Sequence, residues 1–148
     1  MSILYNYYTL PLQCQDLIQK KRQSRCTLAD SLRQHIHLLI RTHFNESRFD
    51  SEYGCMIWEK DFETIRSVDK WKTELLDSFQ KALKKYEVRL SDIQIVVNLD
   101  DLKVVDPKTR KIVELRRRIN LHIEGIIRQT NEAFQHKEFI FFSPLSLT

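Results

Sequence analysis

Apolar residues recur at helical spacing in two stretches of the chain and at every second position in two others. Leu28, Leu32, Ile36, Leu39, Ile40 and Phe44 line one helical face, and Thr27, with Asp30 three residues on, is placed to cap it; the spacing predicts a helix over about 28–43. A second helix is marked by Ser67 as cap, Asp69 in the first turn, and Trp71, Leu75, Phe79, Leu83 and Tyr86 at intervals of three and four. Lys81, Lys84 and Lys85 suit its negative C-terminal end.

The period then changes to two. Ile93, Ile95, Val97 and Leu99 share one face while Asp92, Gln94 and Asn98 fall on the other, which predicts a half-buried strand. Asp106-Pro107-Lys108-Thr109 reads as a turn, after which Val113, Leu115, Ile119, Leu121, Ile123 and Ile127 alternate with Glu114, Arg116, Arg118, Asn120, His122 and Glu124 in a long strand. The polar stretch Gln129 to Glu132 separates it from Phe134 to Phe142, most simply through a hairpin, and Pro144 ends the ladder.

Helices and strands are segregated, which favours an α+β fold with an antiparallel or mixed sheet of at least three strands. Residues 1–26 mix Tyr5, Tyr7, Tyr8, Leu10 and Leu12 with the basic cluster Lys20-Lys21-Arg22 and Arg25, without a sustained period, and read as a partly ordered N-terminal arm; residues 27–148 form one domain.

Composition narrows the chemistry. With only 2 glycines, Gly54 and Gly125, no phosphate-cradling loop can be built. Three cysteines, Cys14, Cys26 and Cys55, lack ligand spacing and are too few for a disulfide framework, so free thiols in a reducing compartment are expected. The longest apolar run, Phe139 to Phe142, falls far short of the ~20 residues of a membrane span, and the start of the chain lacks a secretory layout; a soluble, cytoplasmic protein is expected. A net charge of +4, from 24 basic and 20 acidic residues, permits an anionic partner without requiring one.

Each chemical candidate has a plainer explanation. Glu59, Asp61 and Glu63 lie close enough to suggest glycosidase carboxylates, but nothing beside them marks a sugar cleft, and solvated loop acids are expected. His35 and His37 are two apart on a helix, unlike the i,i+4 pair of a zinc helix, so no metal or cofactor is expected. Cys55 sits among small and apolar residues and reads as packing. Arg116 and Arg118, with Phe139 or Phe141 on the same sheet, suggest RNA binding, yet Lys137-Glu138-Phe139-Ile140-Phe141 lacks the glycine of the RNA-recognition signature. Glu46-Ser47-Arg48 and Glu87-Val88-Arg89 each follow a helix and can pair with each other, with local backbone or with a partner.

At these last residues the chain resembles a known family. Glu46-Ser47-Arg48-Phe49, Tyr53-Gly54-Cys55, Ile57-Trp58 and Asp61-Phe62-Glu63 are similar to a conserved stretch of the phage baseplate wedge family, also labelled GPW or lysozyme-like, with Tyr53 in place of the common Phe. Glu87-Val88-Arg89-Leu90 stands where that family carries Glu-Pro-Arg-Leu, with Val88 replacing Pro. The ending Phe141 to Ser146 resembles the TssE branch of the divergent third type VI secretion subtype.

The resemblance implies a non-enzymatic, cytoplasmic baseplate component that links wedge proteins (TssF-like, TssG-like, possibly TssK-like) to sheath subunits (TssB-like, TssC-like). Glu87, Val88, Arg89 and Leu90 would be the wedge-binding motif. Glu46, Arg48, Phe49, Gly54, Trp58, Asp61 and Phe62 form the second family motif. An open strand edge would start sheath polymerisation, with the strands Ile93–Leu99, Val113–Ile127 and Phe139–Phe142 as candidates and Arg116, Arg118, Phe139 and Phe141 facing the sheath. An RNA-binding domain is the alternative, and a peptidoglycan-cleaving glycosidase a more distant one.

Overall fold

A computed structural model describes residues 6–58 and 67–142, with the backbone alone for Val104, residues 113–116 and Phe142. Two helices lie on one face of a three-stranded antiparallel sheet. In chain order the elements are β1 (Tyr7–Tyr8), α1 (Cys14–Ile18), β2 (Arg25–Cys26), α2 (Leu28–Arg41), a 3-10 turn (Met56–Trp58), α3 (Val68–Tyr86), β3 (Leu90–Val105), β4 (Ile112–Ile127) and β5 (Glu132–Phe142). The α+β architecture read from the hydrophobic pattern is the one observed.

Both helices start at the expected caps: Thr27 Oγ1 accepts from Asp30 N at 3.1 Å and Ser67 Oγ from Lys70 N at 3.3 Å. α2 ends two residues before the predicted boundary, because Thr42 turns to extended backbone (ψ 132°) while its hydroxyl donates to the Leu38 carbonyl. Leu32, Ile36, Leu39 and Ile40 of α2 and Trp71, Leu75, Phe79 and Leu83 of α3 are buried against Val97, Ile119, Leu121, Ile123, Phe134 and Ile140 of the sheet.

The strand order is β3-β4-β5. β3 and β4 join through a turn in which the Asp106 carboxylate accepts from Lys108 N and Thr109 Oγ1, and β4 and β5 through one closed by Asn131 N donating to the Ile127 carbonyl. A bulge between Ser91 and Gln94 inserts one residue into β3. It switches the inward parity, so that Leu90 opposite Ile127 and Ile95 opposite Ile123 both face the core. Opposite the bulge a Cβ at Gly125 would lie 3.0 Å from the Ser91 carbonyl, which accounts for glycine there.

Because β4 is central, hydrogen-bonded to β3 along its length and to β5 from Arg117 to Ile127, it is not a docking edge; among the described strands of this sheet the edges are β3 and β5. The N-terminal segment folds back, β1 pairing with β2, and Leu10 N donates to Gln34 Oε1 of α2.

Candidate interaction site

Glu87 ends α3 and is 1% exposed. An ionised carboxylate at that depth needs its lone pairs filled, and two side chains, Arg89 and His35, converge on it. Arg89 donates from Nε to Oε1 at 2.8 Å and from Nη2 to Oε2 at 2.7 Å, and His35 Nδ1 lies 2.7 Å from Oε2. Burial alone would raise the Glu87 pKa; the hydrogen bonds from Arg89 and His35 outweigh it and bring the pKa down to about 2. The remaining reach of Arg89 goes to Ser31 Oγ at 3.0 Å and across the ring of Tyr7 at 5.6 Å.

Leu90 N reaches back toward the Glu87 carbonyl at 3.4 Å, so Glu87 to Leu90 form a turn with Val88 at its second position, which proline favours. Val88 is 67% exposed. Val88 thus occupies a turn position that would suit proline, and it presents its apolar side chain to solvent.

The second motif forms the loop after α2. Glu46 accepts from His43 N at 2.8 Å, pairing with local backbone rather than with Arg89. Gly54 is buried with φ +134°, and a Cβ there would lie 2.6 Å from the Thr42 carbonyl. Trp58 Nε1 donates to the Ile40 carbonyl at 3.0 Å while its ring stacks on His43. Phe49 is fully exposed and Arg48 exposed. Asp61, Phe62, Glu59 and Glu63 lie outside the described residues.

The structure joins the two motifs. Tyr53 packs edge-on against Tyr86 with centroids 5.0 Å apart and stacks on His35, and the Tyr86 hydroxyl donates to Asp50 at 2.8 Å, which holds that carboxyl below its usual range. The loop and the Glu87 corner are thus one surface.

Of the candidate sheath-facing residues, Arg118, Phe139 and Phe141 lie on the sheet face away from the helices. Arg118 donates to Asp100 at 2.8 Å and stands 5.5 Å over the Phe139 ring, with Phe141 beside it in the register. Arg117 donates to Asp101. Opposite-charge partners on β3 thus occupy these guanidinium groups, which weakens the RNA reading. The side chain of Arg116 is not among those described.

A second buried carboxylate escaped the sequence reading. Glu138 of β5 faces inward, with His37 Nδ1 at 3.0 Å from both oxygens, His136 Nε2 at 3.1 Å and Arg41 Nη2 at 3.2 Å. Burial again pushes up, but the hydrogen bonds from His136, His37 and Arg41 hold the pKa at about 2. The available signal was an acid in the inward row Phe134, His136, Glu138, Ile140. His35 and His37 do point apart, as expected, each to a different carboxylate. Cys55 is buried and its thiol donates to the Ile40 carbonyl. Among the described residues no cluster of His, Cys, Asp and Glu is suited to a metal, and no helix is long and apolar enough to cross a membrane.

Fold and site define a class: an α+β domain whose two helices cover one sheet face, with a buried Glu-Arg pair fastening the turn from helix to sheet. The profile of the baseplate wedge protein gp25 family matches residues 26–132, and the chain belongs to that family, one of structural baseplate components. No curated protein matches. Among solved structures, a Geobacter sulfurreducens protein designated a tail lysozyme aligns with a TM-score of 0.56 over 82% of this chain and 96% of that one at 17% identity. That likeness concerns the fold.

Proposed function

We propose that the chain is the TssE-type wedge component of a type VI secretion baseplate, carrying no catalytic activity, which joins TssF-like and TssG-like wedge proteins to the sheath and starts sheath assembly by accepting a strand. Family membership supports the baseplate role, and the ending Phe141 to Ser146 supports the type VI branch. The observation that carries strand addition is the open sheet. β5 pairs with β4 in unbroken register from Glu132 to Phe142, whereas β3 carries the bulge between Ser91 and Gln94 and its pairing with β4 shifts again at Val104/Val105. Bulges blunt an edge, so β5 is the receptive one, with Phe139 and Phe141 beside it as anchors and Arg118 orienting the added strand. The Glu87-Arg89 corner serves the wedge side.

The test is reconstitution with purified cognate wedge and TssB-like/TssC-like sheath proteins. Arg118→Glu and Phe141→Lys are expected to impair sheath recruitment while wedge binding stays at wild-type level. Sheath assembly unaffected by both variants refutes the assignment of the β5 edge. Salt-sensitive binding of single-stranded RNA in place of wedge and sheath refutes the baseplate role of this chain. Clearing of a peptidoglycan suspension by the pure protein refutes the non-enzymatic reading.

A further inference from the structure

The loop between α2 and the 3-10 turn is closed at its base and spent in its charges. Cys55 N donates to the Thr42 carbonyl at 3.1 Å and Asn45 N to the Ser51 carbonyl at 2.8 Å, so the chain leaves and re-enters at one place. Glu46 is bound to the His43 amide, Asp50 to the Tyr86 hydroxyl and to Glu52 N, and Glu52 pairs with Lys85. Among the described residues Arg48 has neither a hydrogen bond nor an ion pair. Beside it Phe49 is 100% exposed, its backbone held by a hydrogen bond from its N to Ser47 Oγ.

A phenylalanine wholly in water contributes nothing to the folded core, and a tethered loop holds it there at little further cost in entropy on binding. Aromatic and arginine side chains dominate the energetics of protein interfaces. The surroundings select the partner. Three carboxylates stand on the loop against Arg48 and Lys85, which disfavours phosphate-rich surfaces, while each carboxylate already has a hydrogen-bond donor and, of the loop's charged side chains, the Arg48 guanidinium has no partner among the described residues.

We propose that the Arg48-Phe49 tip is a preformed protein-docking anchor: Phe49 enters an apolar socket on a partner protein and Arg48 meets a carboxylate on its rim. The partner is one of the large wedge proteins, which rests on the baseplate reading above. Tyr53 and Tyr86 carry the tip on the same rigid unit as the Glu87 corner, so socket and corner are engaged together.

The experiment measures binding of the full chain to the purified cognate TssF-like/TssG-like subcomplex by biolayer interferometry at ~0.15 M salt, together with thermal melts. Phe49→Ala is expected to weaken binding roughly 30-fold or more and Arg48→Glu at least about tenfold, with Phe49→Leu and Arg48→Lys recovering part of each loss and all melting points unchanged. Wild-type protein that binds while Phe49→Ala and Arg48→Glu stay within about threefold of it overturns the anchor and leaves the baseplate reading standing. Wild-type protein that does not bind overturns the baseplate reading and the anchor with it. A lower melting point for Phe49→Ala makes the residue part of the packing, and Phe49-dependent binding to vesicles with anionic lipid makes it a membrane contact; either result overturns the anchor.

Discussion

Replacing Glu87 by Gln tests whether the corner is held by charge or by shape. The amide preserves the volume but removes the ionised acceptor between Arg89 and His35. Lowering the carboxyl pKa from 4.5 to about 2 makes the ionised form worth about 3 kcal/mol to the folded state, at ~1.4 kcal/mol per tenfold change in proton affinity. Breaking one side of a buried pair gives a similar figure, about 3–5 kcal/mol. Against a total stability of about 5–15 kcal/mol, the variant should melt roughly 6–12 °C lower at pH 7. The folded-state pKa lies below that of the unfolded chain, so this stability is complete above about pH 4.5 and is lost as the pH falls towards 2. The wild-type and Glu87→Gln curves should therefore converge in acid, with Glu138 and Asp50 among the carboxylates that keep the variant acid-sensitive. Thermal and urea melts followed by circular dichroism at pH 7, 5 and 3 measure both effects. A variant that melts within about 2 °C of wild type at pH 7, or one whose gap persists unchanged at pH 3, refutes the argument.

Two further substitutions test the backbone at the paired motifs. Gly54→Ala should cost about 2–4 kcal/mol in urea melts, because φ +134° disfavours a side chain and its Cβ would press into the Thr42 carbonyl. Val88→Pro should stabilise by about 0.4–1 kcal/mol: Glu87, at φ −115° and ψ 73°, is already outside the helical region that a following proline excludes, and no acceptor for the Val88 N–H is found among the described residues. A drop in melting temperature for Val88→Pro refutes the reading of Val88 as a substitute for the family proline.

The helices, the hairpins and the inward rows were legible because amphipathic periodicity and capping residues are local. The ends of β3 were not. The bulge at Ser91 to Gln94 breaks the alternation just after Leu90, and Asp100-Asp101 hides the extension to Val105, where cross-strand pairing with β4 overrides local preference. Which strand is central was equally hidden, since β3 and β4 show the same alternation and only pairing distinguishes an edge. At the site, Glu87 and Arg89 were found because their spacing is short. Their partners Ser31, His35 and Tyr7 lie tens of residues away, and nothing in their spacing pointed to the corner. Glu138 was missed although it interrupts an apolar row.

The two buried carboxylates together explain how α2 is seated. An apolar stripe fixes that a helix lies on a sheet but resists rotation and sliding only weakly, whereas a buried charge has one place where it is satisfied. His35 reaches Glu87 at the entrance to β3, and His37 and Arg41 reach Glu138 on β5, so α2 is fastened at both edges of the sheet. If this holds, Glu138→Gln should loosen α2 and β5 before the rest of the fold. Amide hydrogen exchange should speed up in residues 36–41 and 134–140 by up to about a hundredfold, the equivalent of about 3 kcal/mol, with far less change in α3 and β3. Equal acceleration in α2 and α3 would mean that the helices open as one unit and that Glu138 stabilises the domain globally without fixing the position of α2.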